Sequence, residues 1–152
     1  LFVEDIRGKE CISVDLSKGS YSFDINGSYC KVLYEEGWNL IVDLTSGVVT
    51  RSFLVLLPWE NYKAIYVVRG SKINLVEVSG REVYIVQREG CRVDEDSILT
   101  YILTGKGELR SKRARVSGTI VYIAWIPGVP AKYIYFITND YIKLKPMSQY
   151  VA

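Results

Sequence analysis

Val78-Ser79-Gly80-Arg81-Glu82-Val83-Tyr84-Ile85 returns 38 residues later as Val116-Ser117-Gly118-Thr119-Ile120-Val121-Tyr122-Ile123. Each copy runs on to a glycine at the same offset, Gly90 and Gly128. After each Ser-Gly, apolar residues recur with the period of two that marks a strand with one buried face. Two copies at so short a period predict one compact domain with internal two-fold symmetry. Val83 and Val121, and likewise Ile85 and Ile123, are then expected at equivalent core positions in two sheets. Midway between the copies stands Thr104-Gly105-Lys106-Gly107-Glu108. Glycine on both sides of Lys106 permits positive φ at a tight turn, which predicts an exposed hairpin tip.

The same alternation runs outward to both ends. Tyr21, Phe23 and Ile25 share one strand face, and Asn26-Gly27 supplies a hairpin turn into a strand at Tyr29 to Tyr34. Glu35-Glu36-Gly37 reads as another turn, and Trp38 to Leu44 as a third strand. Ser46-Gly47 turns the chain into Val48 to Leu57, which Pro58 ends. Tyr62 to Val68 follows, and Arg69-Gly70-Ser71 breaks it. Further strands are expected at Ile73 to Val78, Glu82 to Gln87, Ser97 to Leu103, Arg110 to Val116, Ile120 to Trp125 and Tyr133 to Thr138. No amphipathic pattern longer than two helical turns interrupts them. The fold class is therefore all-β, with an N-terminal β unit over residues 1–70 and the repeat-bearing domain over 71–152.

Composition narrows the function. The chain has 152 residues, 49% of them hydrophobic, enough for a packed core without staples. A net charge of +2 makes no global demand for nucleic acid or a membrane. The apolar runs are strand-sized, and no charged head with an apolar signal core opens the chain. A cytoplasmic protein is the expectation. Histidine is absent, which removes Ser-His-Asp and Cys-His catalysis, histidine metal sites and a phosphohistidine carrier. Scarce glutamine points toward a thermophile. Cys11, Cys30 and Cys91 fit no zinc or redox spacing, so free thiols are expected, with a Cys11–Cys30 disulfide as the alternative.

The lysine and its surroundings resemble the biotinyl/lipoyl carrier family. There a Gly-x-x-Val turn leads into a strand, the modified lysine tips a hairpin, and a Ser-Gly turn opens the second repeat. Here Gly90 and Val93 precede Lys106 by the family's usual interval, and Gly118 follows about one residue later than usual, a difference a bulge absorbs. The resemblance covers Ile73 to Thr138 and implies a barrel-sandwich hybrid fold with Lys106 as the attachment point. The neighbours depart from it. Biotin carriers flank the lysine with methionines, and lipoyl carriers read Glu-Thr-Asp-Lys-Ala, of which only Thr104 and Lys106 are kept. No cofactor is therefore expected, with biotin or lipoate as the alternative, and Thr104, Gly105, Gly107 and Glu108 as the hairpin context. The pattern of Thr104, Lys106, Gly107, Glu108, Arg110, Gly118 and Tyr122 also resembles an archaeal family of uncharacterised proteins with such a C-terminal domain. That implies the fold and an archaeal cytoplasm, and brings no known activity.

Other signals are weaker. Arg110, Lys112, Arg113 and Arg115 form the densest basic stretch. It is read as solvated or paired with Asp94, Glu95 and Asp96, and alternatively as a nucleic-acid contact strand helped by Tyr122 and Trp125. Gly105-Lys106-Gly107 lacks the spacing and the Ser/Thr of a phosphate loop. Asp94-Glu95-Asp96 suits a solvated turn better than a metal site. Tyr133 to Ile137 is apolar on both faces, which predicts burial between layers or a dimerising face. The reading that results is a non-enzymatic carrier-like or binding scaffold with a protein partner, a possible homo-oligomer, and a nucleic-acid- or protein-binding module as the alternative.

Overall fold

A computed structural model of the protein describes residues 1–34 and 37–147. The expected turn at Glu35-Glu36 lies outside the described residues. The chain forms two compact units: Leu1–Lys72 joined by the chain from Asp140 onward, and Ile73–Asn139. No helix among the described residues is long and apolar enough to cross a membrane.

The first unit carries β1 (Phe2–Glu4), β2 (Cys11–Asp15), β3 (Ser20–Phe23) and β4 (Tyr29–Lys31). A one-turn helix α1 (Trp38–Ile41) follows, then a short hairpin of β5 (Val42–Asp43) and β6 (Val48–Val49). β7 (Phe53–Leu57) and β8 (Lys63–Val67) complete the first pass. The second unit contains β9 (Asn74–Gly80), β10 (Glu82–Ile85), β11 (Arg92–Val93), β12 (Ile98–Leu103), β13 (Leu109–Arg113), β14 (Gly118–Ile126) and β15 (Ala131–Thr138). The chain then returns as β16 (Ile142–Pro146).

Seven strands close a barrel in the order β1-β4-β2-β3-β16-β8-β7, with β7 pairing back onto β1. β16 lies between β3, to which it is parallel, and β8, to which it is antiparallel. Its residues therefore belong to the first unit, whereas the sequence reading placed all of 71–152 together. Pairing is set by register between distant segments, and the short stretch 142–146 carries no local sign of its partners. Phe2, Ile12, Tyr21, Leu54, Ala64, Tyr66 and Leu144 fill the interior, as side chains do in small barrels. Tyr29 and Tyr66 meet there edge to face with centroids 5.8 Å apart and their hydroxyls 2.9 Å apart. Burial and the tyrosine pairing push the Tyr29 phenol well above its ordinary range. The opposite faces of β7 and β8, with Phe53, Val55, Ile65 and Val67, are buried as well.

Three local expectations are corrected. Trp38 to Leu44 is not one strand. Residues 38–41 make a helical turn that buries Ile41, and the Thr50 hydroxyl donates to the Leu40 carbonyl at 3.1 Å. Apolar residues at 38 and 41 are three apart, which puts them on one face of a helical turn but on opposite faces of a strand. The Asn26-Gly27 segment does not join a hairpin, because β4 sits on the far side of β2 from β3. The chain steps over β2 at Gly27, where a Cβ would lie 2.3 Å from the Ile12 carbonyl oxygen. Gly27 is thus required by a close backbone approach, not only by turn geometry. The cysteines differ too. Cys11 and Cys30 stand opposite each other across β2 and β4 and form a disulfide, while Cys91 is free.

The second unit is a two-layer sandwich. One sheet runs β10-β12-β13 and the other β11-β14-β15-β9. Val78, Val93, Leu99, Ala114, Ile120, Tyr135 and Ile137 form its core. The Tyr135 hydroxyl ties the layers by donating to the Leu99 carbonyl at 3.1 Å. The chain passes between sheets at Gly80-Arg81, with the Arg81 N–H on the Leu103 carbonyl at 2.9 Å. A Cβ on Gly80 would meet the Ile102 side chain at 2.2 Å.

The residues that follow the two Ser-Gly pairs lie in different sheets, β10 and β14, and their environments are not equivalent. Val83 is half-buried and Ile85 exposed, while Val121 is fully buried. A bulge between Ile120 and Tyr122 makes Val121 an extra residue and turns Ile120 and Ile123 toward the core instead. On the other face Tyr122 and Phe136 pack edge to face at 5.0 Å, both fully buried. Both faces of Tyr133 to Ile137 thus contribute buried residues.

The disulfide closes a loop with a sequence separation of 19, and closing one of that length is worth about 3 kcal/mol through the unfolded chain. Chemical denaturation of the barrel with and without a strong reductant should show a loss of that order on reduction. Unchanged stability would mean that the strand pairing alone fixes Cys11 against Cys30.

Candidate functional site

The β12–β13 hairpin is the candidate site. Leu103 lies opposite Leu109, Ile102 opposite Arg110 and Tyr101 opposite Ser111. Between them the Thr104 N–H donates to the Glu108 carbonyl at 2.8 Å, and the Gly107 N–H to the Thr104 carbonyl at 3.0 Å. The Glu108 N–H donates to the Thr104 hydroxyl at 3.2 Å. Thr104 therefore braces both sides of the loop. Gly107 adopts φ 81°, a left-handed conformation that costs glycine nothing. A Cβ on Gly105 would meet open space, so this glycine is not demanded by packing. Lys106 stands exposed at the tip. Among the described residues no carboxylate pairs with it.

The basic strand divides its charges. Arg110 pairs with Glu108 at 3.0 Å, both mostly exposed. Such a pair contributes at most a few tenths to about 1 kcal/mol. Arg113 donates to the Asp96 carbonyl at 2.6 Å. Arg115 is in the left-handed region at φ 60°, and its N–H donates to the Glu95 carbonyl at 3.0 Å. The strand ends at Arg113, so Arg115 no longer alternates with it. Lys112 lies opposite Thr100 and is half-buried. The acidic run meets these arginines through backbone carbonyls, not carboxylates. Its Asp94 side chain instead accepts the Asp96 N–H at 2.9 Å, as a self-bonded turn does.

Some features lay outside the sequence reading. Tyr84 and Tyr101 stand opposite each other and exposed on the outer face of this sheet. The Tyr84 hydroxyl bonds Glu82, which raises its pKa. Glu89, half-buried before β11, has its carboxyl pKa raised by desolvation. In the first unit the left-handed pair Asn61-Tyr62 borders a cleft at the open end of the barrel. The exposed tyrosines were visible as one face of an alternating strand. The backbone conformation of Asn61 and Tyr62 had no clear signal, since only Asn61 is a common left-handed residue.

Residues 1–140 match the family described as "Uncharacterized protein conserved in archaea (DUF2118)". The chain belongs to this archaeal family. The match spans the hairpin and both sheets of the second unit and ends before β16. A curated relative, the uncharacterized protein MJ0859 of Methanocaldococcus jannaschii, is 22% identical over 111 residues, 72% of this chain. This member of the archaeal family spans 66% of that relative's length. The family identifies an archaeal lineage, and its description carries no activity.

Because Lys106 touches nothing that holds the fold, Lys106→Ala should change stability by no more than about 0.5 kcal/mol, as at ordinary surface positions. Thermal denaturation of the two proteins side by side measures this. A larger loss would place the lysine in a bonded network.

Proposed function

We propose that this archaeal protein is a non-enzymatic binding scaffold whose 73–139 unit, of biotinyl/lipoyl-like barrel-sandwich type, presents the Lys106 hairpin to a protein partner. Lys106 stays unmodified in this reading. The observation that carries it is the exposed lysine at the tip of a braced hairpin, whose strands rest on a packed two-sheet core. Precision at such a site comes from the rigid sheets below the loop. The glycines beside Lys106, in place of the methionines or the acidic residues of carrier proteins, favour recognition without attachment. A sequence with no histidine also favours binding over acid–base chemistry. The reading includes a cytoplasmic place of work. The Cys11–Cys30 disulfide is compatible with that, since intracellular proteins of hyperthermophilic archaea keep disulfides.

The intact mass of protein isolated from its own host tests the attachment question. The unmodified mass is expected. A gain of one biotinyl or lipoyl group, lost in Lys106→Ala, would make the protein a carrier instead. Partner recovery from host lysate on immobilised protein tests the hairpin. Lys106→Glu should reduce recovery of a bound protein at least tenfold, and equal recovery by both proteins would remove the hairpin from the binding surface.

The second reading gives Arg110, Lys112, Arg113 and Arg115 to nucleic acid. Two of the four are engaged through their guanidiniums by Glu108 and Asp96, which leaves few cations for phosphates. Fluorescence anisotropy with labelled single-stranded RNA and DNA should show no sub-micromolar binding at physiological salt. Tight binding that falls steeply with salt and disappears in Arg110→Ala and Lys112→Ala would move the function to this strand.

A further inference from the structure

We infer that the open end of the barrel in the first unit is a binding site for a small, flat, uncharged ring molecule that shares one hydrogen-bonding edge with Asn61. The inference stands apart from the hairpin and does not depend on its role.

Strand register brings the lining together. Phe23 lies opposite the interior residue Ile12, Tyr21 opposite Val14 and Pro146. Leu56 lies opposite the interior residue Ala64. These four side chains therefore point into the barrel at one end, and the β7–β8 connection brings Asn61 and Tyr62 to the rim. The cleft they line has a volume of about 540 Å³. That lies within the range of small-molecule sites, which recur in the mouths of β-barrels.

The wall is built rather than incidental. Tyr21 is almost wholly buried, and its hydroxyl donates to the Tyr62 carbonyl at 2.5 Å. The Tyr62 N–H donates to the Leu57 carbonyl at 3.0 Å. These two bonds hold residues 61 and 62 at φ 55° and 58°. Asparagine visits that region far more readily than tyrosine does. Backbone held against its preference collects at ligand clamps and active sites.

The same two elements leave aromatic surface in water. Phe23 and Tyr62 are each 56% exposed. Phe23 packs edge-on against Phe2 and Tyr21, at 6.4 and 6.0 Å, which fixes its ring at the cleft. Two exposed aromatic rings on one concave surface mark a place that another molecule covers.

The chemistry selects the occupant. None of the six lining residues is charged, so an ionic ligand would be desolvated with no partner. Aromatic walls favour a planar ring through offset or edge contacts. Among the described residues the Asn61 side-chain amide has no hydrogen-bond partner. It offers one acceptor and two donors to the ligand's edge.

N-phenyl-1-naphthylamine, an uncharged fused-ring fluorophore with one N–H, is a suitable probe for the full chain. Its fluorescence should rise and shift to the blue, saturating at one probe per chain. Asn61→Gly keeps a residue that accepts the left-handed conformation but removes the amide edge, and should weaken binding at least tenfold. Tyr62→Gly relieves the backbone and removes one wall. It should weaken binding at least tenfold while leaving the thermal midpoint unchanged or higher. No saturable signal with the wild-type protein would overturn the inference. So would equal affinity in both variants, or a signal that follows dimer formation on size exclusion, which would mean that a second copy covers the cleft.

Discussion

Closure of the N-terminal barrel rests on β16, which arrives from the other end of the chain. Without it β3 and β8 would each present a row of unpaired backbone groups, the usual template for edge-to-edge association. β16 also supplies Leu144 to the barrel interior and Pro146 to its open end. The interior cluster, the barrel mouth and the protection of two strand edges all depend on one late pairing. Such a pairing joins residues far apart in sequence, as Lys145 to Ser20 and Leu144 to Ala64. Long-range closure of this kind makes barrel formation slow relative to local hairpins.

The strands around β2 carry a second constraint. β4 lies between β1 and β2, so the chain leaving β3 has to cross over the end of β2. Gly27 makes the crossing possible by passing against the Ile12 backbone. The disulfide then fastens β4 to β2 beside the crossing. The two devices act on the same problem, one by removing a side chain and the other by adding a covalent bond.

The sequence was informative where the period of two had one meaning. It located most strands of the second unit within a few residues and placed Lys106 on a hairpin tip. Tight turns such as Ser46-Gly47 were equally legible, because the geometry depends on adjacent residues; Gly47 sits at φ 73° there. What escaped was set by contacts between distant segments. A one-residue bulge at Val121 shifted the inward face of β14 and broke the equivalence that the two Val-Ser-Gly copies implied. The Cys11–Cys30 bond depends on a register that joins strands of no local relation. The left-handed pair at Asn61-Tyr62 is fixed by the Tyr21 hydroxyl, forty-one residues away in sequence.

The route of the chain through β8, the second unit and β16 has an evolutionary meaning. β9 and β15, which begin and end the second unit, are paired with Asn74 opposite Ile137. β8 and β16, which flank it in the first unit, are paired with Tyr66 opposite Ile142. Each break in the chain therefore opens and closes between neighbouring strands. The sandwich is spliced into the barrel as a cassette, and its removal would leave two barrel strands that a short turn can reconnect. A gene with this layout can gain, lose or exchange its inserted piece in a single recombination event while the host barrel keeps every strand it needs.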